Sequence, residues 1–179
     1  MERIKTMDSK TIITITGPSG SGKDMIARML SEATGVEIIS SYTTRPMRKG
    51  EIDGREHIFV NIRQVALENT LAYTHFGGHE YWTTPDQIKK IAIYVIDERG
   101  LIDMQIKFPW IKFIKIHVTS AIPLRILRGV SISRILRDRS RLQLPAYFYN
   151  FNLTNNSTKK YIRNHLNEVV KTIKRTVTL

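Results

Sequence analysis

The sequence predicts a three-layer α/β domain around a mostly parallel sheet, and three observations carry that prediction. Short apolar runs alternate with segments of helical period along most of the chain. A β-branched run, TIITIT at 11–16, passes through GPSGSG straight into a helical pattern. A near-continuous apolar run, IAIYVID at 91–97, ends in an acid, as a strand buried on both faces does when it delivers a carboxylate to the sheet's C-terminal edge.

Taken in order, 11–16 is the first strand, and a helix follows over Lys23–Thr34 with Met25, Ile26, Met29, Leu30 and Ala33 at helical spacing. Gly35 suits that helix's C-terminal cap. Residues 36–40 are expected as a second strand, 58–60 as a short strand, 62–69 as a small helix and 71–84 as a strand and loop around Gly77 and Gly78. The strand at 91–97 precedes a helix over 100–107, stopped by Pro109, and a further strand at 113–119. Two Arg-rich helices are expected at about 121–128 and 131–142. The aromatics Tyr147, Phe148, Tyr149 and Phe151 suit a core strand. A last helix spans Lys159–Val177, with Ile162, Leu166, Val169, Val170, Ile173 and Val177 on one face.

The 179 residues suit one domain, with a core at 11–40 and 91–179 and a polar lobe at about 41–90 set into it. No apolar run reaches the length of a bilayer span, and residues 1–10 lack the apolar stretch of a signal peptide and read as a disordered or tag-like lead-in. There is no cysteine, which removes disulfide and thiolate chemistry and agrees with a cytoplasmic protein. Lys and Arg number 28 against 16 Asp and Glu, a formal net charge of +12, which favours polyanionic partners.

The stretch GPSGSGKD at 17–24 fits a phosphate-binding loop in its first seven residues. Its glycines let successive backbone N–H groups turn inward on phosphate oxygens, and the following helix adds partial positive charge. Gly17, Ser19, Gly20, Ser21, Gly22, Lys23 and Asp24 are the candidate ATP contacts, with Lys23 able to reach the β- and γ-phosphates. Asp24 stands where such loops carry Ser or Thr. Two readings stay open for it: a Mg²⁺ ligand, or an acid favoured in the first turn of a helix.

In SYTTRPMRKGEIDG at 41–54, Ser41, Arg45 and Arg48 make a fork for a phosphate monoester. In FGGHEYWTT at 76–84, Tyr81 and Thr83 are candidates for a second anion or a base. Arg125, Arg128, Arg134, Arg137, Arg139 and Arg141 crowd one stretch with Asp138 as the acid among them. A lid of about 125–137 over a transferring phosphoryl group is favoured over a solvated face or a nucleic-acid patch. Arg134, Arg137 and Arg141 are expected on one helical face. His75 and His79 are four apart, but the glycines between them exclude a helical metal site.

These motifs, GPSGSGK, TTR-x-x-R-x-G-E-x-x-G and Gly78-x-x-Tyr81, in this order and spacing, resemble guanylate kinase over about residues 11–175. The resemblance implies a P-loop kinase fold with an inserted nucleotide-binding lobe and a short Arg-rich lid. It implies a nucleotide kinase, a phosphotransferase that moves the γ-phosphoryl of Mg·ATP to GMP or a related (d)NMP. Lys23, Arg45, Arg128 and Arg134 would be catalytic. Ser41, Arg45, Arg48, His57, Tyr81 and Thr83 would hold the acceptor, and Asp24 and Asp97 would serve Mg²⁺. The implied partners are ATP and a nucleoside monophosphate, with no membrane or nucleic acid; a homodimer is compatible.

The departures cluster on base reading. His57 replaces a phosphate-binding tyrosine, Ala72 a guanine-reading carboxylate, Val95 a second acid and Trp82 a glycine, and the lid is shortened. Two alternatives follow: an interaction module without catalysis, or a kinase of another small phosphate such as a sugar phosphate or modified pyrimidine nucleotide.

Overall fold

A computed structural model describes residues 10–55 and 57–177; residues 1–9 of the expected lead-in and the side chain of Val177 lie outside the described residues. The core sheet has the order β6-β1-β7-β8, with β1 (Thr11–Thr16), β6 (Ile91–Val95), β7 (Lys112–Thr119) and β8 (Phe151–Thr154) all parallel. Every residue of β1 is buried, as the central position of that strand requires. The sheet is covered on both faces. Ile13 and Ile15 pack with Ile26 and Leu30 of α1 (Lys23–Thr34) and with Ile162, Leu166, Val169 and Ile173 of α5 (Lys159–Val177). On the other face Ile12 and Tyr94 pack with Leu101 and Met104 of α2 (Glu98–Lys107). Each such buried aliphatic side chain contributes roughly 1.5–3 kcal/mol.

Residues 41–83 form a second, mixed sheet, β3-β2-β5-β4, from β2 (Ser41–Thr43), β3 (His57–Phe59), β4 (Ala72–Phe76) and β5 (His79–Thr83). Leu71 and Ala72 join it to the core by packing beside Ile12 and Ile96. The pairings Ser41↔His57, Thr43↔Tyr81 and Thr74↔Tyr81 put Ser41, His57, Thr74 and Tyr81 on one face.

Several elements differ from expectation. Residues 36–40 make one parallel bridge, Ile38↔Ile93, because the chain leaves the core for the second sheet at Ser41. Instead of a helix at 62–69 there is one 3₁₀ turn, Leu67–Asn69; eight residues nucleate poorly, and exposed Ile62 and Leu67 bury no apolar face. Residues 71–84 are a hairpin, β4 to β5, whose tip residues Gly77 and Gly78 both take positive φ, 61° and 79°, as the two-residue turn requires. The strand at 91–97 stops at Val95, and Asp97 becomes the N-cap of α2, its Oδ1 accepting from the Gly100 N–H at 2.8 Å.

The Arg-rich helices are α3 (Ile122–Leu127) and α4 (Ile132–Arg137), followed by a 3₁₀ turn, Asp138–Ser140. Arg141 has extended backbone, so it shares no helical face with Arg134 and Arg137. The helix ends early because the Asp138 carboxylate is held by Ser19 and Arg125. The aromatics of 147–151 form no single strand: Tyr147 is 90% exposed on a 3₁₀ turn, Tyr149 is buried against His117, and only Phe151 enters β8.

Candidate active site

The segment from β1 to α1 is built so that its carbonyls are tied by donors from the protein. Gly17 has φ 136°, and a Cβ there would stand 2.0 Å from the Val118 carbonyl oxygen, so only glycine fits. Each carbonyl of the loop has a donor. Lys23 Nζ donates to Gly17 O at 2.8 Å and Pro18 O at 3.0 Å. Arg125 Nε donates to Ser19 O at 2.7 Å, Arg128 Nη1 to Gly20 O at 3.1 Å and Asn155 Nδ2 to Ser21 O at 2.8 Å. Gly22 O accepts from Ile26 N, which begins the helix. With the carbonyls restrained, the N–H groups at the helix start, which lack intrahelical acceptors, are left for an anion.

Beside the loop lies a cavity of about 220 Å³. Its cationic wall is Lys23, Arg45, Arg48, Arg134, Arg137 and Arg141, and Asp97 is the acid on its lining. Ser19, Ser41, His57 and Tyr81 add polar groups, and Val95 and Phe76 apolar ones. The Nε atoms of Arg134 and Arg137 are buried with no hydrogen-bond partner. Unsatisfied buried donors on charged groups cost free energy that an anion would recover.

Lys23 is held by the loop carbonyls and Arg48 stands 4.0 Å from Glu51, and three more of these cations have neighbours of their own. Arg45 pairs with Glu51 through both prongs, and its Nη1 also donates to Pro46 O at 2.7 Å. Arg141 donates to Glu98 at 2.6 Å. The Arg137 guanidinium lies 4.4 Å from the Phe76 ring centroid, joining the Arg-rich segment to the hairpin tip. Burial, then the neighbouring Arg141 charge, lowers the Lys23 pKa to about 8. Burial, then Arg45 and Arg134, lowers that of Arg48.

Ser41 Oγ stands 2.8 Å from His57 Nδ1. Burial, then the Arg45 charge, lowers the His57 pKa, so the ring is neutral at pH 7. It stands beside Tyr81 as a neutral hydrogen-bonding group, not the imidazolium that would bind phosphate more strongly.

The structure thus brings Ser19, Lys23, Ser41, Arg45, Arg48, His57, Tyr81, Asp97 and Arg134 around one cavity and adds Arg137 and Arg141. It leaves off its lining Gly17, Gly20, Ser21 and Gly22, whose backbone forms the loop beside it, and three further expected residues. Asp24 is exposed in the first turn of α1. Thr83 is fully buried, with its hydroxyl donating to Tyr94 OH at 3.3 Å. Arg128 is engaged by Gly20 O, Ser120 Oγ and Asn155 O. Three contributors had no assigned role in the sequence reading: Glu98, Asp138 and Asn155. Asp138 carried a signal, as the acid inside the arginine cluster. Asn155 carried none.

Among the described residues, no three His, Cys, Asp or Glu side chains are grouped to hold a metal, and no helix is long and apolar enough to cross a membrane. A larger cavity of about 910 Å³ lies on the other face of the small sheet, around Tyr42, Trp82, Phe108 and Trp110. Lys10 is the cation on its lining, so the positive charge is gathered on the smaller one.

The sequence profile of the family described as guanylate kinase matches residues 8–108. A guanylate kinase of Gloeobacter violaceus is 31% identical over 109 residues, 55% of this chain and 53% of that protein. One of Rhizobium meliloti is 34% identical over 115 residues, 58% of this chain and 52% of that protein. The chain thus spans about half the length of these curated relatives. Two solved structures share the fold. A guanylate kinase from Anaplasma phagocytophilum has TM-score 0.63 and 18% identity, covering 93% of this chain and 87% of that one. A sugar kinase from Janibacter sp. has TM-score 0.55 and 13% identity, covering 93% and 98%.

Proposed function

This chain belongs to the guanylate kinase family, and from that premise we propose that it transfers the γ-phosphoryl group of ATP to the phosphate of GMP or a related nucleoside monophosphate. The observation that carries the proposal is the cationic cavity opening beside the restrained loop, lined by two arginines whose Nε atoms are unsatisfied.

In this reading the loop N–H groups and Lys23 hold the ATP phosphates. Lys23 gives up its bonds to Gly17 O and Pro18 O for phosphate oxygens. Ser41, Arg45, Arg48 and Tyr81 hold the acceptor phosphate, and Glu51 keeps Arg45 in place. Arg134, Arg137 and Arg141 spread positive charge over the equatorial oxygens of the transferring group. Arg128, expected among the catalytic arginines, serves the loop through the Gly20 carbonyl instead. No covalent intermediate is needed; alignment and charge neutralisation lower the barrier.

Mg²⁺ fits a site of one or two carboxylates plus substrate phosphates, with no all-protein cage. Asp97, with one oxygen committed to Gly100 N and the carboxylate on the cavity lining, suits that role. Asp24, the other carboxylate the resemblance implies, is exposed in the first turn of α1 and off the cavity lining, so Asp97 is the better placed of the two. Bound there, the ion would supply charge neutralisation of the phosphates. The cytoplasm, which supplies ATP and nucleoside monophosphates, is the place of work in this reading.

A second reading, transfer to a small phosphate other than a guanine nucleotide, rests on one observation. Ala72, where the resemblance puts a guanine-reading carboxylate, is packed in the core with Ile12, Ile39 and Tyr94. A site without that partner loses the means to reject other acceptors. A coupled ADP-release assay tests both readings, with Mg·ATP against GMP, dGMP, AMP, UMP, dTMP, CMP and a set of sugar phosphates. Turnover with GMP supports the first reading and turnover with a sugar phosphate the second. Silence with all, together with no ATP binding, leaves an interaction module.

A further inference from the structure

We propose that Asp138 is a positioning residue for the phosphate donor, a side chain that ties the phosphate loop to the arginines beside the cavity; this rests on the kinase reading above. Asp138 is buried, and its carboxylate is used by the chain itself. Oδ2 accepts from the Ser19 N–H at 2.9 Å and Oδ1 from the Ser19 hydroxyl at 3.0 Å. Arg125, also buried, pairs with Oδ2 and sends Nε to the Ser19 carbonyl. Asp138 and Arg125 together close around one residue of the loop, satisfying the N–H, the C=O and the hydroxyl of Ser19.

The place of Asp138 in the chain gives these contacts their consequence. Arg137 is the last residue of α4, and Arg134 and Arg137 both line the cavity. The residue that fixes the loop is therefore the immediate neighbour of a residue that faces the phosphates. Displacement of the Arg-rich segment pulls on Ser19, and displacement of the loop pulls on the arginines. The donor phosphates and the cations that neutralise them are held as one unit, which in-line transfer requires. Asp138 touches no substrate in this arrangement; it acts through Ser19 and Arg125.

Three variants test the proposal: Asp138→Asn, Ser19→Ala, and the double variant Arg125→Gln with Asp138→Asn, which leaves no buried charge unpaired. Calorimetry with a non-hydrolysable Mg·ATP analogue, steady-state kinetics and amide exchange of residues 19–24 are measured on each. Asp138→Asn and the double variant are expected to raise the analogue Kd and the KM for ATP by about tenfold or more, with the acceptor KM within about twofold. Ser19→Ala is expected to act in the same direction by about threefold. Loop amides are expected to exchange faster in all three. A folded double variant with wild-type analogue affinity and wild-type loop exchange overturns the proposal, and if Asp138→Asn fails to fold, the other two decide. A wild-type chain that binds no ATP analogue overturns the kinase reading; loop exchange then still decides whether Asp138 holds the loop.

Discussion

Arg45 and Glu51 meet fork to fork, Nη1 to Oε2 and Nη2 to Oε1, both at 2.9 Å. Glu51 also accepts from the Arg48 N–H at 2.7 Å, so one carboxylate sets the guanidinium of one arginine and the backbone of the other. Both members are largely shielded, with side-chain exposures of 7% and 17%.

Glu51→Gln therefore loosens both arginines. The acceptor KM is expected to rise by about tenfold or more while the KM for ATP changes little, and stability is expected to fall by about 3 kcal/mol. The pH dependence has a definite sign. Burial opposes ionisation of Glu51, but the hydrogen bonds from Arg45 and Arg48 outweigh it and hold its pKa below the usual 4.5. Its contribution is complete above about pH 4.5 and is lost as pH falls through the depressed value. Urea titrations between pH 7 and pH 3 should show an acid-side loss of stability that Glu51→Gln lacks.

Lys23 contributes a cost where Glu51 contributes a gain, although stability rises with pH through both groups. Its pKa is lowered to about 8 in the folded protein, chiefly by burial, while the unfolded chain keeps the ordinary 10.5. Holding the charged lysine costs the empty protein stability below pH 8, and that cost is relieved as pH rises from about 8 toward 10.5. Phosphates restore the charged form. Binding of an ATP analogue near pH 8 should take up protons, read as a buffer-dependent calorimetric enthalpy. Lys23→Ala is expected to abolish turnover with the fold intact, and to remove the proton uptake.

The contact between Arg137 and Phe76 links the Arg-rich segment to the hairpin tip. A partly shielded cation–π contact contributes about 1 kcal/mol. Phe76→Leu keeps the apolar volume and removes the ring face. Turnover is expected to fall by about fivefold, with thermal stability little changed. An unaltered kcat would show that closure of the two segments does not use this contact.

Thr83 is hydrogen-bonded to Tyr94 behind the cavity wall, where the resemblance suggested a base contact. Thr83→Val should cost about 1 kcal/mol of stability. The ratio of kcat/KM between two acceptors should stay within about twofold of its original value. A tenfold change in that ratio would return Thr83 to base recognition.

The legible parts of this molecule are those whose physics is local. TIITIT, the glycine loop and the 3.6-residue period after it each name their own conformation, and β1, the loop and α1 stand at the expected residues. The same holds for the apolar face of α5. Residues 36–40 and 62–69 were not legible, since their outcome turns on where the chain changes sheets and on whether a partner surface covers them. Within the candidate site, the fork of Ser41, Arg45 and Arg48 was readable from spacing, and Tyr81 joined it only through the resemblance. The neutral state of His57 and the burial of Thr83 were not, because both depend on neighbours from other strands.

The sequence by itself determined the α/β class, the glycine loop between strand and helix, the crowding of arginines in one stretch and the absence of a carboxylate at position 72. Only the tertiary structure divided the arginines. Arg125 and Arg128 turn to the loop carbonyls, Arg134, Arg137 and Arg141 turn to the cavity, and Asp138 couples the two groups. Charge is a property of each residue and is written in the chain. The direction in which a guanidinium points is a property of what packs around it, and that is set by contacts more than a hundred residues apart, such as Ser19 with Asp138.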